Sequence, residues 1–471
     1  MCLRGVRACL RVAGILLAGI GLGFGCTGAG ADTLEWALVQ AYQNNPSLNA
    51  QRASLRATDE AVPQALSGYR PKLSVTTSAG YNNYNETSVL ALPTGPAVTT
   101  YGAAFASGSL GANATYTLFN GFQTPNRTRQ AESQVEAARE TLRVTEQQVL
   151  LDSATAYMNL LRDQAVFDLD RRNVEVLIDQ LKRTRDRFHI GELTRTDVAQ
   201  AESRLAINRF SLLGAQSNYV ASQATYRRVI GVDPGRLAPG NPVDRLSPDT
   251  LAKAIASGET QSPSVLAAAY GVDAAELAVK ISEGALYPSL TLTGSILQGI
   301  NPAFEVLKET QMAAIGQLTV PVYQGGAEFS AIRQAKETLG QQRLSVDVNR
   351  DQARATVMQS WGQRQAAQSQ IEAATAAVHA AEVALNGVRE EARVGQRTTI
   401  DVLNAQQELV NARVALVTAQ RDRVVASYSL LAAVGGLSMQ RLGLNVLIYD
   451  PMVHYQQIRD AWIGMRNPDG R

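Results

Sequence analysis

Two short segments hold the residues best placed to do chemistry. One contains Gly191, Thr194, Thr196 and Asp197; the other contains Gly395, Arg397, Thr398, Asp401 and Asn404. In each, a threonine follows a glycine by three residues, and an aspartate follows the threonine by three more. Glycine suits the left-handed residue that closes a helix. Thr-x-x-Asp has the spacing of a capping box: the hydroxyl accepts an early backbone amide, and the acid sits in the first turn against the positive helix end. Both segments therefore read first as helix–turn–helix connections. A second chemistry is open to them, since like charges gathered at a narrow mouth focus the field and select ions. That reading lives where the segments differ. Arg397 stands opposite Leu193, and Asn404 opposite Gln200.

Catalysis has no comparable support. His189, His379 and His454 are scattered without paired metal-ligand spacing, and they read as surface or packing residues. No nucleophile–base set accompanies them, so the sequence implies no enzyme, cofactor or metal site. With 44 Lys+Arg against 42 Asp+Glu, there is no basic excess to hold a nucleic acid. A hydrophobic content of 45% is too low for a bundle of membrane helices.

The chain opens on a targeting pattern. Arg4, Arg7 and Arg11 precede an apolar run from Val12 to Phe24, and Ala29-Gly30-Ala31 offers a small-residue cleavage site. Residues 1–31 are thus expected to be a signal peptide, with Asp32 the first exported residue. The glycine-rich run Gly19–Gly25 belongs to this leader and is no phosphate loop. Cys2, Cys9 and Cys26, the only cysteines, also fall within it. Lipidation of Cys26 would call for a leucine where Gly23 stands.

The remainder is one unit written twice. Gly121, Arg129, Gly191, Thr194, Asp197, Ala201, Leu205 and Gly231 recur 204 residues later as Gly325, Arg333, Gly395, Thr398, Asp401, Ala405, Leu409 and Gly435. Helices explain so strict a spacing, because one inserted residue turns every later side chain by about 100°. Upstream, Asn45-Pro46 matches Ser262-Pro263 and Pro71 matches Pro288, an offset of 217. The first copy therefore carries 13 extra residues, assigned to a surface loop in the Gly/Pro/Thr-rich stretch Ser88–Gly102.

Each copy predicts a helix (Leu34–Leu66 in the first), two strands (Leu73–Tyr84 and Phe105–Phe119), a very long helix (Pro125–Phe188) and a last helix (Thr194–Ile230). The second copy predicts strands at Ser289–Gly299 and Met312–Tyr323 and helices at Glu328–Ala392 and Thr398–Val434. Val135, Leu142 and Val149 are seven apart, as are Leu339 and Val346; Val174, Leu177, Ile178 and Leu181 mark one further face. This thin stripe suits coiled-coil packing. The boundaries are 1–31 for the leader, 32–232 for the first repeat, 233–262 for a linker, 263–436 for the second repeat and 437–471 for a C-terminal segment. Pro125–Phe188 would extend about 96 Å, and the two shorter helices end to end would match it.

The strands alternate apolar and polar residues and are long enough to cross an outer membrane at a tilt. Four strands per chain fall short of the eight of the smallest membrane barrels, so a membrane reading requires several chains to pool their strands. Soluble hairpins on an exported coiled-coil stalk, as in an adhesin, are the alternative from sequence patterning alone.

The doubled layout, Asn45-Pro46, Tyr69-Arg70-Pro71, Leu118-Phe119-Asn120-Gly121 and the run Val394-Gly395-Gln396-Arg397-Thr398-Thr399-Ile400-Asp401-Val402-Leu403-Asn404-Ala405 resemble the TolC family of outer-membrane efflux channels. The resemblance spans about Thr33 to Gly436. It implies a mixed α and β fold and a homotrimer, with twelve strands in one β-barrel in outer-membrane lipid and a helical barrel crossing the periplasm below. The linker and C-terminal segment would form a belt around its middle. It implies an exit duct for efflux or type I secretion, docked through a periplasmic adaptor onto an inner-membrane RND or ABC transporter. The two turns would form the periplasmic gate. Arg397 would link to Asp197, beside Thr196, on a neighbouring coil, and Asp401 would project into the pore. Asn404 stands where the family carries a second pore-lining acid, and Ala392 where it often carries a tyrosine that helps lock the tip.

Overall fold

The computed structural model describes residues 32–93, 95–303 and 305–467. The signal-peptide expectation falls outside them. The N-terminal helical stretch is three helices: α1 (Leu34–Asn44), α2 (Pro46–Asp59) and α3 (Ala61–Leu66). The sequence suggested one. Pro46 cannot continue a hydrogen-bonded helix but suits a first helical position. Asn45 caps the new start, its Oδ1 accepting from the amides of Ser47 and Leu48 at 2.9 and 3.3 Å.

Strands β1 (Lys72–Leu92) and β2 (Gly95–Asn120) follow, then α4 (Gln123–His189) and α5 (Arg195–Ile230). The linker holds α6 (Leu251–Gln261). The second copy runs α7 (Pro263–Gly284), β3 (Ser289–Ala303), β4 (Val306–Thr319), α8 (Ala327–Arg393) and α9 (Thr399–Ala433). The short α10 (Met439–Leu442) and α11 (Pro451–Ile458) end the described chain. Helices α4 and α8 each hold 67 residues, about 100 Å.

The assignment of Ser88–Gly102 to a surface loop is corrected. Ser88–Leu92 continue β1 and Gly95–Gly102 open β2, paired from Ser88↔Thr99 to Leu92↔Gly95. Val89 faces Val98 and Thr87 faces Thr100 across the ladder, pairs that suit strands. The extra residues of the first copy lengthen its hairpin. Strand β2 pairs with β3 only from Gly108 onward, so the outer part of the first hairpin is a two-stranded ribbon.

The four strands form one antiparallel sheet in the order β1-β2-β3-β4. Its register collects apolar residues on one face. Tyr116, Leu292 and Gly316 make one row; Leu73, Ala114, Gly294 and Ala314 the next; Val75, Ala112, Ile296 and Met312 the third. The intervening rows mix polar and apolar residues: Ser74-Asn113-Ser295-Ala313 and Thr76-Gly111-Leu297-Gln311. Among the described residues, neither outer edge of the sheet, on β1 or β4, has a partner strand.

Near the sheet α4 packs on α1–α3 and α7, and α7 on α8; farther away the order is α5–α4–α9–α8. Short helices meet end to end, as their lengths suggested. The Asn45 side chain donates to the Val229 carbonyl at the end of α5, 2.8 Å away. A Cβ on Gly435 would lie 2.5 Å from the Gln261 carbonyl, so the end of α9 abuts the start of α7. The largest buried cluster surrounds these joints and includes Leu38, Tyr157, Tyr226, Ile230, Tyr428 and Leu431. The Tyr157 hydroxyl donates to the carbonyls of Asp32 and Ala238. The linker is pinned by Asp244, which accepts from Arg364 at 2.8 Å and pairs with Arg423. The C-terminal segment starts at this middle level but then climbs along α2 and α4 toward the sheet, where Arg70 reaches Ala461.

Candidate functional site

The two turns lie at the ends of α4 and α8 remote from the sheet, and both are built as their spacing predicts. Helix α4 closes on Gly191 at φ +80°, whose amide donates to Phe188 O at 3.0 Å while Glu192 donates to Arg187 O at 2.9 Å. Gly395, at φ +82°, repeats this with Ala392 and Glu391. These paired bonds satisfy the last helix carbonyls in a Schellman motif. Thr194 then caps α5: its Oγ1 accepts from the Asp197 amide at 3.3 Å, and Asp197 Oδ2 accepts the Thr194 amide at 2.9 Å. Asp401 Oδ2 accepts the Thr398 amide at the same 2.9 Å. Hydrogen bonds from the Thr194 hydroxyl and amide hold the Asp197 carboxyl below the usual carboxylate range. The Thr398 amide and hydroxyl, aided by Arg397, do the same for Asp401.

The expected link between Arg397 and Asp197 does not form within the chain. Arg397 Nε instead donates to Glu391 Oε2 at 2.8 Å, and Asp197 is occupied by Thr194. The first turn has the mirror-image clamp, with Arg187 on the helix and Glu192 in the loop, 2.9 Å apart. Arg187 and Glu391 occupy equivalent positions, so the copies use opposite charges for one task. Thr196 is exposed beside the cap.

What joins the two hairpins lies about one to five turns farther along the helices. Leu403 of α9 is buried among Val174, Leu177 and Leu181 of α4 and Ala201 and Leu205 of α5. Ile178, expected on the buried face, is exposed. Arg204 Nη2 donates to Asn404 Oδ1 at 2.5 Å, from α5 to α9. Gln406 of α9 donates to Asn173 of α4 at 3.3 Å, and Asn173 to Asn208 of α5 at 2.9 Å. Arg389 of α8 donates to Gln406 at 2.9 Å. A polar chain thus crosses all four helices. Asn173 and Asn208 are buried, where an unmatched amide would be costly, so the chain fixes the relative height of the helices.

Sequence reading missed Arg204, Asn173, Asn208, Arg389 and Gln406. A partial signal was present: Arg185 and Glu202 pair at 2.5 Å, and Arg389 and Gln406 occupy the equivalent positions 204 residues on. Among the described residues, no group of three His, Cys, Asp or Glu side chains could hold a metal, and no helix is long and apolar enough to cross a membrane.

Comparisons with known proteins agree with this architecture. The sequence profile of the family described as outer membrane efflux protein matches residues 37–232 and 255–436. The outer membrane efflux protein BepC of Brucella suis biovar 1 is 41% identical over 470 residues, covering 99% of each chain. The outer membrane protein TolC of Escherichia coli is 26% identical over 443 residues, covering 90% of this chain and 86% of that one. Among solved structures, the CmeC outer membrane channel of Campylobacter jejuni superposes with a TM-score of 0.76 at 16% identity, covering 91% of this chain and 89% of the other.

Proposed function

The chain belongs to the outer membrane efflux protein family, and on that premise we propose that three copies form the exit duct of an efflux system. It is an outer-membrane protein of a channel family. One observation carries the trimeric reading: a sheet with an apolar face and both edges open. Open edges are not tolerated in lipid, so closure must come from other copies. Two copies would give eight strands, whose interior side chains fill. Three give twelve and leave room for a passage. The helical layer has matching edges. Helix α5 exposes Ile207, Phe210 and Leu213, and α8 exposes Val383 at a similar distance from its turn. Packing α5 of one copy beside α8 of the next would continue the layer into a closed barrel.

On this reading the two turns form the periplasmic gate. Asp401 faces the pore, and the Arg204–Asn404 contact holds one hairpin against the other. A periplasmic adaptor and an inner-membrane RND or ABC transporter would pull these hairpins apart and supply the cargo. The efflux reading is preferred to protein secretion because the relative at 41% identity is named for efflux.

Crosslinking in mild detergent should give a three-chain species, and planar bilayers should show conducting pores. A protein that stays monomeric in bilayers and conducts nothing overturns the proposal and returns the stalk reading.

A further inference from the structure

The last described residues leave an apolar surface without a partner. Up to α11 the C-terminal segment is well fixed. Ile458 is buried, His454 Nδ1 lies 3.0 Å from Asp59 Oδ2, and the Arg139 guanidinium sits 5.0 Å over the Tyr455 ring. Arg70 holds the next residues twice. It donates to the Ala461 carbonyl at 2.7 Å and lies 4.6 Å over the Trp462 ring. Then the chain opens outward: Trp462 is 69% exposed, Ile463 97% and Met465 102%.

The place of this surface is informative. Arg70 is two residues before β1, so at most about 7 Å of chain separates it from the sheet. Leu73, in the second apolar row, is one residue farther. Exposed aromatic rings stand at this junction and at the other three strand–helix junctions: Tyr69 here, and Phe122, Tyr287 and Tyr323 elsewhere. Aromatic residues at the ends of an apolar strand band mark a membrane–water boundary. Lys72 lies next to Arg70 in sequence, and the tail after α11 carries Arg466 and Arg471 against Asp460 and Asp469. A tryptophan and two long apolar chains flanked by bases suit a lipid headgroup layer, where the rings and chains sink and the cations meet phosphate.

We propose that Trp462, Ile463 and Met465 insert into the periplasmic leaflet of the outer membrane, making the C-terminal tail an interfacial anchor. The proposal rests on the channel reading, because the leaflet's level is taken from the apolar rows of the sheet. Arg70 is the positioning residue: it orients the Trp462 ring at the boundary. The anchor ties the belt around the middle of the helices to the membrane by a strap outside the strands.

The test uses the full chain with Cys2, Cys9 and Cys26 replaced by serine and Met465→Cys labelled with an environment-sensitive nitrobenzoxadiazole probe. The protein is reconstituted in vesicles of phosphatidylethanolamine and phosphatidylglycerol, and conductance is recorded from the same preparation. The anchor predicts a blue-shifted emission, several-fold stronger quenching by brominated acyl chains than by aqueous iodide, and partial loss of both effects with Arg70→Ala. A probe open to iodide in conducting vesicles overturns the anchor and leaves the channel reading intact. A probe shielded from both quenchers means that protein covers the tail, which also overturns the anchor. Vesicles that retain protein but never conduct remove the channel reading and the anchor with it.

Discussion

Replacing Asn404 by aspartate separates two views of the proposed gate. From the sequence, an acid at 404 adds a second negative ring and strengthens cation block. The contact at 2.5 Å between Arg204 Nη2 and Asn404 Oδ1 reverses that expectation. An acid there would accept the guanidinium and become an ion pair. Exposed pairs are worth about 0.2–1 kcal/mol each. Three separate pairs in the proposed trimer would add to about 0.6–3 kcal/mol. That shifts the closed-to-open ratio by roughly threefold to a hundredfold. Asn404→Asp should therefore lower the open probability in planar bilayers and leave block by a trivalent cation unchanged. In an Arg204→Ala background the same acid has no partner, and block should strengthen. Arg204→Ala alone should raise the open probability. If Asn404→Asp strengthens block equally with and without Arg204, then Arg204 does not govern position 404 and the latch is refuted.

Other outcomes follow from the same geometry. Because hydrogen bonds depress the Asp197 and Asp401 carboxyls, their capping contribution is complete above the unfolded value of about 3.9 and is lost as pH falls through the lower folded value. Amide protection at residues 197 and 401, corrected for the intrinsic pH dependence of exchange, should stay flat above about pH 4 and fall below it, and Asp401→Asn should abolish that step in the second turn. Gly121→Ala should lower the melting temperature far more than Gly191→Ala. Both have positive φ, a strain of about 1–2 kcal/mol for alanine, but only at Gly121 would a Cβ meet a carbonyl, that of Gly284, at 2.1 Å. Asp244→Ala strands the guanidinium groups of Arg364 and Arg423, both largely buried, and should cost about 1–3 kcal/mol in thermal unfolding; Asp244→Asn should recover part of that loss.

The doubled plan and the long helices were legible because they are written locally. A 204-residue offset without gaps leaves little freedom, and α4 and α8 begin and end within two residues of their expected limits. The turns were legible for the same reason, since Gly191 and Thr194 need only their immediate neighbours. What depended on a partner was hidden. Ser88–Gly102 looks like a loop by composition and becomes strand only because Val98 and Thr100 find Val89 and Thr87 across the ladder. Arg204 and Asn404 are 200 residues apart, and no local spacing says that α5 and α9 meet there. Within the chain Asp197 and Arg397 each have a nearer partner, Thr194 and Glu391, which local spacing alone did not rank above a link between coils.

The long first hairpin has a consequence for the cell rather than for the duct. Beyond Gly108 the ribbon from Ala79 to Ser107 rises above β3 and β4 and touches little of the chain but itself. In the channel reading it faces the outside world, where antibodies, phages and competitors arrive. Its only charged residue is Glu86, and small or hydroxylated residues dominate. Being remote from the helices, substitutions there would leave the helical layer and the two turns in place. Natural selection can therefore redraw the visible face of the protein while the machinery beneath stays constant, and immune escape and transport would evolve on separate parts of one chain.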